Sequence, residues 1–334
     1  MQAIVYRRPG VVGVEERAVG APGPGQVLVR VHACGVCGTD RHIYHGEFPA
    51  TEGVVLGHEY AGEVVTAGEG VTDLQPGMRV AVDPNVVCGR CRTCRAGNVH
   101  LCENLTALGV NYDGGLAEFS LAPRNQLYPF GEGLDWTEAA MAEPLACCLH
   151  GSDLAGIQPG MSVLVIGGGA IGLLHVQLAR LSGAARVTVS DPLPARRDLA
   201  LRLGADAVLD PCGLSTEQMR AALDGGADVV IEAVGSPATA ALSVQAAAAG
   251  GTVIWFGVAA PAAQAALSPY DVYRHEITIR GSFVNPFTHS RAVALLEGGR
   301  VQVAPLISRR VPLADVPAIL AAPAGDDIKT VAVL

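Results

Sequence analysis

The sequence predicts an α/β fold in two parts, a β-rich segment followed by a parallel sheet interleaved with helices. Three observations predict it. Strand-like runs punctuated by Gly and Pro fill residues 1–130. From about Gly151, strand runs alternate with helical patterns, the rhythm of βαβ units. A glycine fingerprint sits at the first strand–helix junction of that second part.

Each element has its own signal. Val27–His32, Gly62–Ala67 and Arg79–Val82 read as strands, separated by the turn signals Pro22-Gly23-Pro24-Gly25 and Pro76-Gly77. In the second part, Met161–Ile166 reads as a buried strand and Ala170–Leu181 as a helix. Arg186–Ser190 is the next strand, with a helix near Ala195–Leu203. Further strands are expected at Ala207–Asp210, Asp228–Ala233, Gly251–Phe256 and Glu276–Gly281. The Ala-rich stretch 238–249 reads as a helix throughout. After Ser282 the rhythm breaks: 288–298 looks helical and Ala304–Leu334 returns to short strands.

Composition narrows the function. A chain of 334 residues is long enough for two domains. Half the residues are hydrophobic and 16% are charged, which supports a large core and argues against disorder. Acidic residues outnumber basic ones, 32 to 23, so no basic face for nucleic acid is expected. A single lysine, Lys329, is among those basic residues. The N-terminus shows no signal-peptide pattern and no apolar run reaches membrane-spanning length. No membrane partner is expected, and the expected setting is reducing cytoplasm.

The fingerprint is Gly167-Gly168-Gly169-Ala170-Ile171-Gly172, with Gly167, Gly169 and Gly172 in the three places of G-x-G-x-x-G. Asp191 follows Gly169 by 22 residues, at the end of the next strand. Glycines admit a pyrophosphate close to the backbone, and the helix N-terminus offers N–H donors. An acid at Asp191 accepts from an adenosine ribose and repels a 2′-phosphate, which favours NAD over NADP. Arg196 and Arg197 pull the other way, because arginine pairs with phosphate.

Four of the nine cysteines, Cys88, Cys91, Cys94 and Cys102, have the spacing of a closed tetrahedral zinc site. Such a site is structural, because no position stays open for substrate. A third group is dispersed: Cys37 in CGVCGTDRH (34–42), His58 and Glu59 in GHEYAG (57–62), and Glu143 before Pro144. One Cys, one His and one carboxylate satisfy a catalytic zinc with an open position. By chemistry alone each also reads as an ordinary buried thiol, surface pair or helix-start acid.

Together these three signals resemble the zinc-dependent medium-chain dehydrogenases, most closely their sorbitol-type polyol branch. The resemblance covers essentially the whole chain. It implies a GroES-like β domain built from both chain ends, residues 1–145 with 288–334, and an inserted Rossmann domain, residues 146–287. It implies that Cys37 and His58 bind a catalytic zinc. Glu143 stands where simple alcohol dehydrogenases carry a second cysteine, and reaches the metal directly or through water. Glu59 is implied as an acid beside the metal that can exchange onto it. Asp40 and Glu59 are expected to orient His58. Phe283 to Asn285 are expected to border the cofactor, with Val234 and Val258 also among the cofactor-binding residues. Thr39 is expected to accept the alcohol proton and pass it through the cofactor ribose to His42. Phe119 is a candidate pocket residue.

Ile43 stands where sorbitol enzymes usually have a tyrosine, and Tyr44 follows it. The implied reaction is oxidation of a secondary hydroxyl of a polyol or sugar alcohol, with hydride transfer to NAD. Threonine- and butanediol-type enzymes, and a non-catalytic NAD-binding relative, are the alternatives. A homo-oligomer, dimer or tetramer, is expected from the relatives. Cys34, Cys147, Cys148 and Cys212 are expected in the core, and His150, Asp153 and His175 in structural roles.

Overall fold

The computed structural model describes residues 1–323 and 325–334. By contact density these residues fall into two compact units, Met1–Ala146 with Asn285–Leu334, and Cys147–Val284.

The first unit is built on a sheet of seven strands. Along it run Ile307–Pro312, Lys329–Val333, Gln26–Val36, Glu59–Ala67, Arg79–Val82 and Leu127–Phe130, and Phe119–Pro123 also pairs with Gln26–Val36. All pairs are antiparallel except Ile307–Pro312 with Lys329–Val333. The last strand of the chain therefore lies beside an early one, with Val331 opposite Gly35 and Gly35 opposite Glu59. Alternation along the long strand sends Val27, Val29 and Val31 into the core, where they meet Ile4, Leu56 and Tyr60. Both ends of the chain thus build one β domain, as the resemblance implied.

The second unit holds six parallel strands in the order Ala207–Leu209, Arg186–Ser190, Ser162–Ile166, Ala227–Glu232, Ala247–Trp255, Thr278–Gly281. The order reverses direction at Ser162–Ile166, the strand that leads into the glycine fingerprint. Ligands of doubly wound sheets bind at such a reversal.

Most boundaries follow local chemistry. Ser236 caps the helix Pro237–Ala246, its hydroxyl accepting the Thr239 N–H at 3.1 Å. The Ala-rich stretch departs from expectation. The helix stops at Ala246, and Ala247 begins the strand Ala247–Trp255 opposite Ala227. Burial of Ala246 and Ala247 in the core, together with sheet hydrogen bonding, overrides the helix propensity of alanine. The segment 304–334 also carries a helix, Val316–Ala321, between its strands. Among the described residues no helix is long and apolar enough to cross a membrane.

Candidate active site and metal centres

Cys37 follows the strand Gln26–Val36 and caps the helix Gly38–His45. The segment after Cys37 is therefore largely helical. Asp40, in the first turn, accepts the Cys37 N–H at 2.9 Å, and Gly46 ends the helix with φ 77°. Thr39 Oγ1 lies 3.7 Å from Cys37 Sγ. His42 stands on the same helix, with Nδ1 2.6 Å from Glu47 Oε2. Ile43 is buried and Tyr44 packs against the core.

His58 precedes the strand Glu59–Ala67, beside the strand that leads to Cys37. That pairing brings the Cys37 sulfur, a His58 nitrogen and a Glu59 oxygen within 4.8 Å of one another. Asp40 Oδ1 lies 3.6 Å from His58 Nδ1, and both atoms are buried without another hydrogen-bond partner. Burial pushes the imidazole towards its neutral form, but Asp40 and Cys37 outweigh it and hold its pKa well above the usual range. Cys37 and Glu59 converge on one position, with Asp40 behind His58, and this acidic surrounding favours a cation there. One sulfur, one nitrogen and one oxygen fit a catalytic zinc. Glu143 is buried in the first turn of the helix Ala142–Ala155, and the grouped ligand atoms do not include it.

Lys329 forms an ion pair with Glu59 Oε2, and both side chains are nearly fully buried. Sequence reading missed this partnership. Its one signal was that the chain carries a single lysine.

The other cysteines form a second centre. Cys88, Cys91, Cys94 and Cys102 gather their sulfurs in one cluster. Cys102 Sγ lies 3.5 Å from Cys88 Sγ and 3.9 Å from Cys91 Sγ. Four zinc–sulfur bonds of about 2.3 Å at tetrahedral angles set neighbouring sulfurs about 3.8 Å apart, so the spacing fits the metal. Backbone N–H groups of Cys91 and Asn104 donate to Cys88 and Cys102 sulfurs at 3.4 and 3.3 Å. The Thr93 hydroxyl, at 3.1 Å, does most to bring the Cys91 thiol down to about 5, which favours the metal-binding thiolate.

In the second unit, Gly167 ends the first strand with φ 101°, and Gly169 caps the helix Ala170–Leu181. A Cβ on Gly172 would stand 1.7 Å from the Gly167 carbonyl oxygen, so only glycine lets the helix pack on this turn. Ala170 and Ile171 form the half-buried first turn. Asp191 is 3% exposed. Its Oδ2 accepts the Gly168 N–H at 2.7 Å and its Oδ1 the Leu193 N–H at 2.8 Å. Arg196 Nη1 is 3.8 Å from Oδ2, while Arg197 donates to the backbone carbonyls of Asp191 and Pro192.

Val234, Val258 and Phe283 are each at least half exposed. Asn285 is buried, accepting from Asn85 Nδ2 and facing His289 Nδ1 at 3.4 Å. Phe119 is half-buried, with the Arg30 guanidinium 5.8 Å from its ring centre. Cys34 and Cys148 are buried as expected, Cys147 is half-buried, and Cys212 is exposed. Cys212 sits just beyond the strand Ala207–Leu209, with its N–H on Asp210 Oδ1, so surface-turn hydrogen bonding places it and not packing.

A doubly wound dinucleotide fold, a four-cysteine lobe and a Cys–His–Glu cluster on a β domain define the zinc-dependent dehydrogenases. Residues 23–132 match the alcohol dehydrogenase GroES-like domain, and residues 170–297 match the zinc-binding dehydrogenase family. D-altritol 5-dehydrogenase of Agrobacterium fabrum is 37% identical, over 94% of each chain. L-threonine 3-dehydrogenase of Pyrococcus horikoshii is 35% identical, over 93% of this chain and 91% of its own. A zinc-binding dehydrogenase of Sinorhizobium meliloti, solved with NADP bound, superposes with a TM-score of 0.97. It is 44% identical and covers 100% of this chain and 99% of its own. The chain belongs to the zinc-binding medium-chain dehydrogenases of the alcohol dehydrogenase superfamily.

Proposed function

We propose that this chain oxidises a secondary hydroxyl of a polyol or sugar alcohol to a ketone, with NAD as the preferred hydride acceptor. The observation that carries the reading is the Cys37–His58–Glu59 cluster, with Asp40 behind His58. The altritol, arabinitol and sorbitol dehydrogenases among the relatives support the substrate class. Zinc, held by Cys37 and His58 with Glu59 or Glu143, would supply Lewis acidity to the substrate hydroxyl.

The chain's own residues then handle the proton. Thr39, two residues from Cys37, is the first relay, its hydroxyl accepting the substrate proton as it releases its own. His42 takes the proton on, its Nδ1 held by Glu47 so that Nε2 is left to exchange with solvent. Asp40 orients His58 for the metal. In the second unit, Gly167, Gly169 and Gly172 with the helix N-terminus would receive the pyrophosphate, and Asp191 the ribose. Asp191 supports NAD because two backbone N–H groups fix its carboxylate in place. Arg196 and the NADP-bound relative make NADP the necessary control. Val234, Val258, Phe283 and Asn285 are proposed cofactor neighbours.

The test is initial-rate turnover across polyols, sugar alcohols, threonine and butanediol, with NAD and NADP, with and without a chelator. Chelator-sensitive NAD reduction by polyols is expected. Turnover of threonine alone would transfer the assignment to that branch, and no turnover by zinc-loaded protein would overturn it.

A further inference from the structure

Lys329 is the only lysine in a chain whose other basic residues are all arginine. It is also among the few buried charged groups, 6% exposed, and its ammonium pairs with Glu59. Arginine's planar fork engages both oxygens of a carboxylate, whereas a lysine ammonium is a point charge that holds one. Here it holds Oε2, which leaves the carboxylate free to turn about that anchor.

The route between the two residues is built into the sheet. Lys329 opens the last strand, Glu59 opens another, and Gly35 lies on the strand between them. A Cβ on Gly35 would fall 2.1 Å from Glu59 Oε2 and 3.0 Å from Lys329 Cε. The missing side chain at Gly35 is therefore the space in which the pair forms. A dication and one ammonium also match the charges of one thiolate and two carboxylates, Cys37, Asp40 and Glu59. Without the ammonium, a buried carboxylate beside the metal position would have the metal as its nearest cation.

We propose that Lys329 is a positioning residue that lets Glu59 onto the metal only part of the time, and that its loss turns Glu59 into a permanent metal ligand. The proposal rests on the reading of Cys37, His58 and Glu59 as a metal centre. It is tested on the full-length protein with Co2+ in place of zinc at that centre, read by its visible absorption. In Lys329→Met the bands should shift as Glu59 enters, and removal of Co2+ by a chelator should slow about tenfold, the scale of effects from residues that support metal ligands. Lys329→Arg, which keeps the charge and grips both carboxylate oxygens, should not show the Lys329→Met shift, and adding Glu59→Gln to Lys329→Met should reverse that shift. An unchanged spectrum in folded Lys329→Met overturns the proposal.

Wild-type protein gives a second measurement that needs no stable variant. With one lysine, 15N-lysine labelling gives a single side-chain resonance. Removing the metal from the Cys–His–Glu centre should move it, and an unmoved resonance overturns the proposal. Binding of Co2+ by the cysteine lobe alone would instead overturn the metal reading beneath it.

Discussion

Asp40 faces His58 across 3.6 Å, with its other carboxylate oxygen fixed by the Cys37 N–H. One acid thus organises two proposed ligands of the same metal position. It orients one through its side chain and the other through its backbone. Asp40→Asn keeps the shape and removes the charge. Zinc affinity at this centre should fall about 10–100-fold, the usual cost of losing such a partner. Competition with a metallochromic chelator measures it, and the cysteine lobe should keep its zinc.

Gly172 makes the dinucleotide turn possible, since a Cβ there would overlap the Gly167 carbonyl oxygen. Gly172→Ala should lose NADH binding, read by fluorescence titration. Overpacking of this kind typically costs about 1–3 kcal/mol, so the melting temperature of the variant should also drop. Unaltered NADH affinity would show that this turn does not cradle the cofactor.

Much of this was legible because the signals were local. Arg79–Val82, Ala170–Leu181 and Arg186–Ser190 occupy the spans their patterns predict. Each carries its own periodicity and its own stop signal. The clustering of the four cysteines was legible for the same reason, with all of them between Cys88 and Cys102. Cys37 and His58 needed more, because two paired strands bring them together and no spacing rule reports that. The Lys329–Glu59 pair was out of reach, joining opposite ends of the chain through the gap at Gly35. Residues 247–249 misled because alanine favours helices wherever tertiary pairing does not intervene. Cys212 misled because a free thiol is usually buried, and this one is held at the surface by a turn.

The cysteine lobe has little apolar content of its own. Its regular structure is one turn of helix, Arg92–Arg95, and the short 3-10 turn Val99–Leu101, and Leu101 is half exposed. A metal bound there would therefore supply most of its folding energy. Cys91→Ser should halve the zinc content from two ions to one per chain, measured by atomic emission. Limited proteolysis should then cut between residues 88 and 103, while the dinucleotide unit stays protease-resistant. Cutting elsewhere first would place the weak point outside the lobe.

Acid sensitivity follows from two histidines, His175 and His289. Both are fully buried, and burial brings each down to about 3. Unfolded histidine titrates near 6.5, so between about pH 6.5 and 3 the unfolded chain binds a proton at each site that the folded chain refuses. Their contribution to stability is therefore intact above pH 6.5 and is lost as pH falls towards 3. Each costs about 1.4 kcal/mol per pH unit in that window, or about 2 kcal/mol between pH 6.5 and 5. Urea denaturation at pH 7, 6 and 5 should show the midpoint falling with acid. His175→Gln and His289→Gln, which remove the titrating rings, should each flatten that slope while lowering stability at pH 7. A slope unchanged in both variants would mean that other groups govern acid unfolding.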